Sequence, residues 1–378
     1  MIYFDNSATT KPYAAALETY TKVASHYFAN PSSLHKFGQK VRELHEEARK
    51  QIATLMSART EEIIFTSGGT ESNNLAIKGI AHAYQNRGKH LITTQVEHPS
   101  VKNVMQELEQ NGFNVTYLPV TETGQIRLED LKKALRKDTI LVSIMHVNNE
   151  VGAVQPIQEV ADLLAETEMP LFHVDNVQGF AKMELDLAKI DAMSISGHKL
   201  HGLRGTGVLY KKNKLNLQPE MLGGGQELGV RSGTENTAGI VALAKAMRLS
   251  LEDFQKKVSN LTNLRDFLLA EISKLDGVTI HTDAASSAPH IICFSVKKQR
   301  GEVLVHALEE KEVFVSTTSA CSSRAKLESS TLHAMKVPEN QATGAIRLSL
   351  SYENTSYEAE QFIGILKDIL QKINEVVK

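Results

Sequence analysis

The residues most able to do chemistry fall in four short motifs. The first is Ser194-Ile195-Ser196-Gly197-His198-Lys199, in which a lysine follows an apolar, β-rich run. Such a lysine is positioned rather than solvated. In a desolvated or cation-rich pocket its amine can be neutral near pH 7 and can attack a carbonyl. The second motif, Ile64-Phe65-Thr66-Ser67-Gly68-Gly69-Thr70-Glu71-Ser72-Asn73, reads as a strand, a glycine turn and the start of a helix. Backbone N–H groups at a helix N-terminus bind phosphate, and glycines let the backbone approach it. The spacing is neither Gly-x-x-x-x-Gly-Lys-Ser/Thr nor Gly-x-Gly-x-x-Gly. The third motif, His173-Val174-Asp175-Asn176-Val177-Gln178, closes a strand with an acid that can keep a pyridine nitrogen protonated, making the ring an electron sink. The fourth is Gln95-Val96-Glu97-His98-Pro99, whose histidine follows another strand and could stack on such a ring.

Each residue alone also has a plainer reading. Lys199 could be a surface lysine, Thr70 a helix cap, Asp175 a solvated or capping acid, and His98 a surface or core histidine. Their order along the chain, each after a strand, argues for one site. Phosphate turn, histidine, aspartate and lysine together specify an aldehyde cofactor with a phosphate handle and a basic ring nitrogen, which is pyridoxal 5'-phosphate.

The elements that must position these residues are legible in the hydrophobic pattern. Between about residues 60 and 212, apolar runs predict strands at Ile63–Thr66, His90–Thr94, Asn114–Pro119, Ile140–Met145, Leu171–Asp175, Ala192–Ser196 and Gly207–Tyr210. Helical spacing, as at Ile157, Val160, Leu163 and Leu164, falls between several of them. Strands alternating with helices predict an α/β fold with a mostly parallel sheet covered on both faces, where ligands sit at the carboxyl ends of the strands. A helix-rich stretch, about 236–275, leads to a smaller α/β set. Its strands are expected at Val278–His281, Ile291–Val296, Val313–Ser316 and Ala345–Leu350, and its helices at 301–311 and 357–377. Two weakly structured stretches interrupt the pattern, from Gly223 to Gly233 and from Ser316 to about Ser330. The expected division is an N-terminal segment (1–15) near the active site, a large cofactor domain (16–255) and a small C-terminal domain (256–378).

The 378 residues carry a net charge of -2, which removes the electrostatic case for a nucleic-acid or membrane-surface protein. No apolar run approaches the roughly 18–20 residues of a membrane span. The start has neither a signal-peptide nor a transit-peptide pattern, and the two cysteines, Cys293 and Cys321, cannot form a disulfide framework. A cytoplasmic protein is expected. With no Cys-x-x-Cys and no His-Glu-x-x-His, no metal site is expected.

Along nearly its whole length the sequence resembles class V, fold-type I pyridoxal-phosphate enzymes, and within them the cysteine desulfurases of the nitrogen-fixation and iron–sulfur type. The motifs that carry the resemblance run from Asp5-Asn6-Ser7-Ala8-Thr9-Thr10 and Asn30-Pro31-Ser32-Ser33 through Thr66–Asn74, Glu97-His98 and Met145-His146-Val147-Asn148-Asn149-Glu150. They continue with Ser196–Lys199, Gly223–Glu227, Arg231-Ser232-Gly233-Thr234 and Ser319-Ala320-Cys321. The resemblance implies that Lys199 is the Schiff-base lysine, that Asp175 pairs with the pyridine nitrogen, and that Gln178 contacts the ring hydroxyl oxygen. It implies that His98 stacks on the ring and transfers protons, and that Gly69, Thr70, Ser196 and His198 bind the phosphate. Thr234 would join them from a second subunit, which implies a homodimer. Asn148 and Arg347 would hold the carboxylate of L-cysteine, with Ala8 and Thr9 nearby; a guanidinium suits that task because it grips a carboxylate bidentately.

Cys321 sets the subclass. It lies in a Ser- and Thr-rich stretch near Arg324, where an exposed thiol can be partly thiolate and nucleophilic. The resemblance implies that it takes sulfur from cysteine as a persulfide, leaving alanine, and that a mobile loop carries it to a protein acceptor. That acceptor would be an iron–sulfur cluster scaffold or a tRNA-thiolation enzyme. Cys293, in Ile291-Ile292-Cys293-Phe294, reads as a core thiol. Thr317-Thr318 and Asn176-Val177 depart from the family's usual Ser-Gly and Ala-Thr, which suggests a specialised paralogue serving tRNA thiolation. The alternatives are another class V reaction, an aminotransferase or a selenocysteine/cysteine lyase, and a non-catalytic interaction protein on the same fold.

Overall fold

The computed structural model describes residues 1–167, 170–318 and 329–376. Thirteen strands occur among the described residues: β1 (Ile2–Tyr3), β2 (Ile63–Thr66), β3 (His90–Thr94), β4 (Asn114–Leu118), β5 (Thr139–Met145), β6 (Leu171–Asp175) and β7 (Ala192–Ser196). They continue with β8 (Gly207–Lys211), β9 (Val278–Ile280), β10 (Ile291–Val296), β11 (Val313–Phe314), β12 (Ser316–Thr317) and β13 (Ala345–Ser349). Strands β2 to β8 form one sheet in the order β2-β8-β7-β6-β5-β3-β4. Only β8 runs antiparallel to its neighbours; the other pairings are parallel.

This sheet is buried on both faces, as parallel sheets must be. Alternate residues enter two different cores: Ile63 and Phe65 join one cluster and Ile64 the other, as the two-residue period of a strand requires. The helices Gly69–Tyr84 and Pro99–Gln110 supply the cluster on one face. Lys36–Leu55, Ile157–Ala165 and Thr237–Leu251 supply the other. The helices Ala14–His26 and Lys36–Leu55 were not among the elements expected from the sequence.

A second sheet, β12-β13-β10-β9, is antiparallel and packs with the helices Phe254–Ile272, Gly301–Glu309 and Ser356–Val376. Ile2 and Phe4 lie in this second core, and β1 pairs with β11. The N-terminus is therefore stapled beneath the C-terminal layer before it reaches the first sheet. The expected single strand Val313–Ser316 is divided, because its first half pairs with β1 and its second half with β13. No described helix is long and apolar enough to cross a membrane.

Candidate active site

The carboxyl ends of β2, β3, β5, β6 and β7 open onto a cavity of about 440 Å³. Its wall includes Gly69, Thr70, His98, Asp175, Gln178, Ser196, His198 and Lys199, which the sequence motifs singled out, and also Ala8 and Thr9 from the N-terminal segment. A larger open groove, of about 990 Å³ beside Met56, Phe180 and Tyr210, is lined by none of these residues.

One end of the cavity is a helix start. β2 runs out at Thr66, and the 16-residue helix begins at Gly69, so its first unpaired amides face the cavity. Gly68 has φ of 153°, a conformation only glycine adopts freely. At Gly69 a Cβ would stand 2.6 Å from Val177 Cγ2, so the close approach of turn and strand end requires its absence. Glu71 holds the turn: it accepts a hydrogen bond from Ser67 N (2.8 Å) and pairs with Arg231 Nε (2.8 Å). Burial raises the Glu71 carboxyl, but Arg231 and Ser67 outweigh it and hold the group below its usual range.

The floor is Asp175 at the end of β6. Its Oδ1 accepts from Val177 N (3.0 Å) and its Oδ2 from Asn73 Nδ2 (2.7 Å). Gln178 is tied to the N-terminal segment, donating to Ser7 O at 3.1 Å. His98 caps the helix Pro99–Gln110, and its hydrogen bonds are made at Nδ1, with Ser100 Oγ (2.8 Å) and Ser100 N (3.1 Å). Burial holds His98 below the ordinary imidazole range; Lys199 acts in the same direction and Asp175 against it. Next to it, burial pushes the Glu97 carboxyl up to about 8, with the charge of Asp175 adding to the effect.

Lys199 closes a single turn of 3-10 helix after β7. Its Nζ donates to the carbonyl oxygens of Ser7 and Ala8, the latter at 2.9 Å, so the N-terminal segment holds the amine at the cavity wall. Behind it, the buried Lys182 donates to Lys199 O (2.9 Å), and burial lowers Lys182 to about 7. His198 meets Thr9 Oγ1 at 3.2 Å and is lowered to about 4, first by burial and then by Lys199 and Arg204.

Three expected site residues stand elsewhere. Asn148 is fully buried and does not line the cavity: its Oδ1 accepts from Glu150 N and Val151 N (both 2.9 Å), and its Nδ2 donates to Val96 O (3.1 Å). The asparagine in the cavity wall is its neighbour Asn149. The chain turns here, with Asn148 Oδ1 capping the amides that follow, and a motif of two adjacent asparagines does not tell which one caps the turn and which faces the cavity. Arg347 lies just behind the wall, 2% exposed, donating to Asn149 O (2.9 Å) and Asp5 Oδ1 (3.0 Å), while its Nε has no partner among the described residues. Thr234 is exposed and outside the cavity wall. Cys321 and Arg324 lie outside the described residues, and Cys293 is a buried thiol on β10 that burial pushes up.

The structure also brings in residues the motifs did not single out for roles. Asn73 and Ser100 join Asp175 to His98, and Arg204 adds a cation to the rim. Asn73 stands one helical turn beyond Gly69, a spacing that was legible; its contact with Asp175 across 102 residues was not. No group of three or more metal-ligating side chains occurs among the described residues.

An α/β enzyme with a strand-end cavity holding an amine, a carboxylate and an anion-binding helix start is the class these features define. The chain matches the family model for aminotransferase class-V over residues 2–362 and belongs to that family, which is pyridoxal-phosphate-dependent in general. It is 51% identical to a NifS/IcsS protein homolog of Lactobacillus delbrueckii subsp. bulgaricus, over 100% of this chain and 99% of that one. It is 42% identical to the cysteine desulfurase IscS of Dictyoglomus turgidum, over 99% and 96%. A solved NifS-like protein superposes with a TM-score of 0.92 at 37% identity, covering 98% of this chain and 99% of that chain.

Proposed function

We propose that the protein is a pyridoxal-phosphate-dependent cysteine desulfurase. It would convert L-cysteine to L-alanine and leave the sulfur as a persulfide on Cys321 for a protein acceptor. The observation that carries this reading is the meeting, in one cavity, of the Lys199 amine, Asp175 and the Gly68–Thr70 helix start. The residues present fit the cofactor: the glycines let the helix start pack close against Val177 at one end of the cavity, where its first amides suit a phosphate, and a carboxylate lies at the floor. When bound, pyridoxal phosphate supplies an aldehyde for the amine and an electron sink for the bonds at the substrate carbon.

The chain's own residues divide the remaining work. Gly69, Thr70, Ser196 and His198 would hold the phosphate, with Thr234 of a second subunit. Asp175 would hold the ring nitrogen and Gln178 the ring hydroxyl. Lys199 would anchor the aldehyde and afterwards move protons at its Nζ; His98, beside it, would orient the ring and share that task. Asn149 and Arg347 would take the substrate carboxylate, Arg347 exchanging the Asp5 carboxylate it now holds for that of the substrate. The reaction balances without an external oxidant. The Cys321 sulfur bonds to the substrate sulfur, the C–S bond breaks, its electron pair stays on carbon and, with a proton, gives the methyl group of alanine. A cluster scaffold or a tRNA-thiolation enzyme would then receive the sulfur.

The test is to supply the purified protein with L-cysteine and a reductant, and to measure alanine and sulfide together. Equal yields are expected. Lys199→Ala should lose both, by about a thousandfold or more, together with the visible absorbance of the bound cofactor. Undiminished sulfide release by Cys321→Ser would overturn the persulfide step.

A further inference from the structure

Two residues with no part in the reading above connect its central groups. Asn73, 1% exposed on the helix Gly69–Tyr84, directs its Nδ2 to two acceptors: Asp175 Oδ2 at 2.7 Å and Ser100 Oγ at 2.9 Å. Ser100 Oγ in turn meets His98 Nδ1 at 2.8 Å. The directions in this chain are set from its two ends. A carboxylate only accepts, so the Asn73 amide must turn its NH2 toward Asp175, and its second hydrogen goes to Ser100 Oγ. At the other end the Ser100 backbone N–H can only donate, so His98 Nδ1 is an acceptor and the Ser100 hydroxyl donates to it. The same nitrogen also receives the Ser100 backbone N–H at 3.1 Å.

We propose that Asn73 and Ser100 are positioning residues that lock His98 in one tautomer, with Nδ1 an acceptor of two hydrogen bonds and the ring proton on Nε2. A proton placed on Nδ1 would set it against the Ser100 backbone N–H and force the Ser100 hydroxyl to turn, so the arrangement keeps the ring neutral as well as oriented. The charged groups that bear on the ring are Lys199, which acts in the same sense, and Asp175, which opposes it. Asp175 favours the imidazolium through space, whereas the Ser100 backbone N–H and hydroxyl, both directed at Nδ1, disfavour it. The catalytic consequence rests on the reading of His98 as a proton-transfer residue, whereas the tautomer is a property of the chain alone.

The experiment is nitrogen NMR of the full-length chain labelled with ¹⁵N-histidine, without cofactor, with the His98 signals assigned by their loss in His98→Gln. In the wild type an unprotonated Nδ1 and a protonated Nε2 are expected, persisting below the pH at which an ordinary imidazole titrates. Ser100→Ala should mix the tautomers and raise the titration of His98 by roughly half to one unit, the equivalent of one hydrogen bond; Ser100→Thr should restore both. In the loaded enzyme the acid limb of kcat/KM should move with the same order of variants. A wild-type ring protonated at Nδ1 would overturn the proposal, as would a folded Ser100→Ala protein in which the His98 signals and titration are unchanged. A chain that shows the expected tautomer but makes no alanine from cysteine would uphold this inference and sink the desulfurase reading instead.

Discussion

Two buried carboxyls outside the cavity wall, each beside an element that contributes to it, are held in opposite states. Glu227, in the glycine-rich stretch beside β2, is 6% exposed; Glu97, at the end of β3, is 3% exposed. Glu227 receives Arg49 Nη1 at 2.7 Å, Arg49 Nη2 at 2.9 Å and Phe65 N at 2.8 Å, and His45 Nε2 stands at 3.2 Å. Burial alone would raise it, but Arg49 and His45 outweigh that and hold it at about 2. Among the described residues Glu97 has only Thr94 Oγ1 (2.8 Å) and Met145 N (3.0 Å), both on one oxygen, and it rises to about 8. Burial raises both carboxyls, and the difference is the guanidinium, which makes one side a charged clamp on β2. The other side stays neutral and adds no further negative charge beside Asp175.

The largest effect should come from breaking the clamp. Arg49→Met leaves Glu227 buried without its cation and frees Ile63 O, so a loss of about 3–5 kcal/mol is expected in urea unfolding at neutral pH. Because the folded Glu227 is lowered, its contribution is present above about 4.5 and is lost as pH falls through about 2. The wild type and Arg49→Met should therefore converge in acid. Equal stabilities at neutral pH would show that the clamp contributes nothing net.

Glu97 should behave with the opposite sign. Its folded value is raised, so its contribution is complete below about 4.5 and is lost as pH rises through about 8. Glu97→Gln removes that dependence. Its stability relative to the wild type should climb by about 1 kcal/mol per pH unit between those limits, close to the maximum of about 1.4. Thermal melts at several pH values check this, and parallel curves would place the charged form of Glu97 in the folded protein.

The same contrast separates what could be read in the sequence from what could not. The strand ends and the glycine turn were legible because each is local: the apolar runs ending at Thr66, Asp175 and Ser196 are where β2, β6 and β7 stop. Long-range partners were not. Nothing near Glu227 in sequence announces Arg49, and nothing near Lys199 announces that Ser7 and Ala8 hold its amine across some 190 residues. That Asn149 rather than Asn148 stands in the cavity wall was not legible for a related reason. It depends on how the chain turns there, and one of the contacts at that turn is made by Arg347, which donates to Asn149 O from the other sheet.

Gly69 tests how closely the turn and the strand end must approach. Gly69→Ala should weaken cofactor binding about tenfold, ~1.4 kcal/mol, because the new methyl meets Val177 Cγ2. Titrating the apo-protein with pyridoxal phosphate measures this. Val177→Ala in the same chain should restore most of the loss, since the atom in the way is removed. A double variant no better than the single one would place the cost in the turn's backbone instead.

The smallest effect belongs to the outer pair of the charged side. Arg231 and Glu71 meet at 2.8 Å, but their side chains keep 24% and 12% of their exposure, so water already screens them. Arg231→Met should cost no more than about 1 kcal/mol, and the cost should shrink as salt rises. Arg49→Met should be far less sensitive to salt, because its partner is 4% exposed in the side chain. The ratio of the two losses, measured at low and high salt, tests whether depth rather than charge count makes this side rigid. Equal losses with equal salt dependence would mean that the two arginines act as one network, and the inner clamp would then have no special standing.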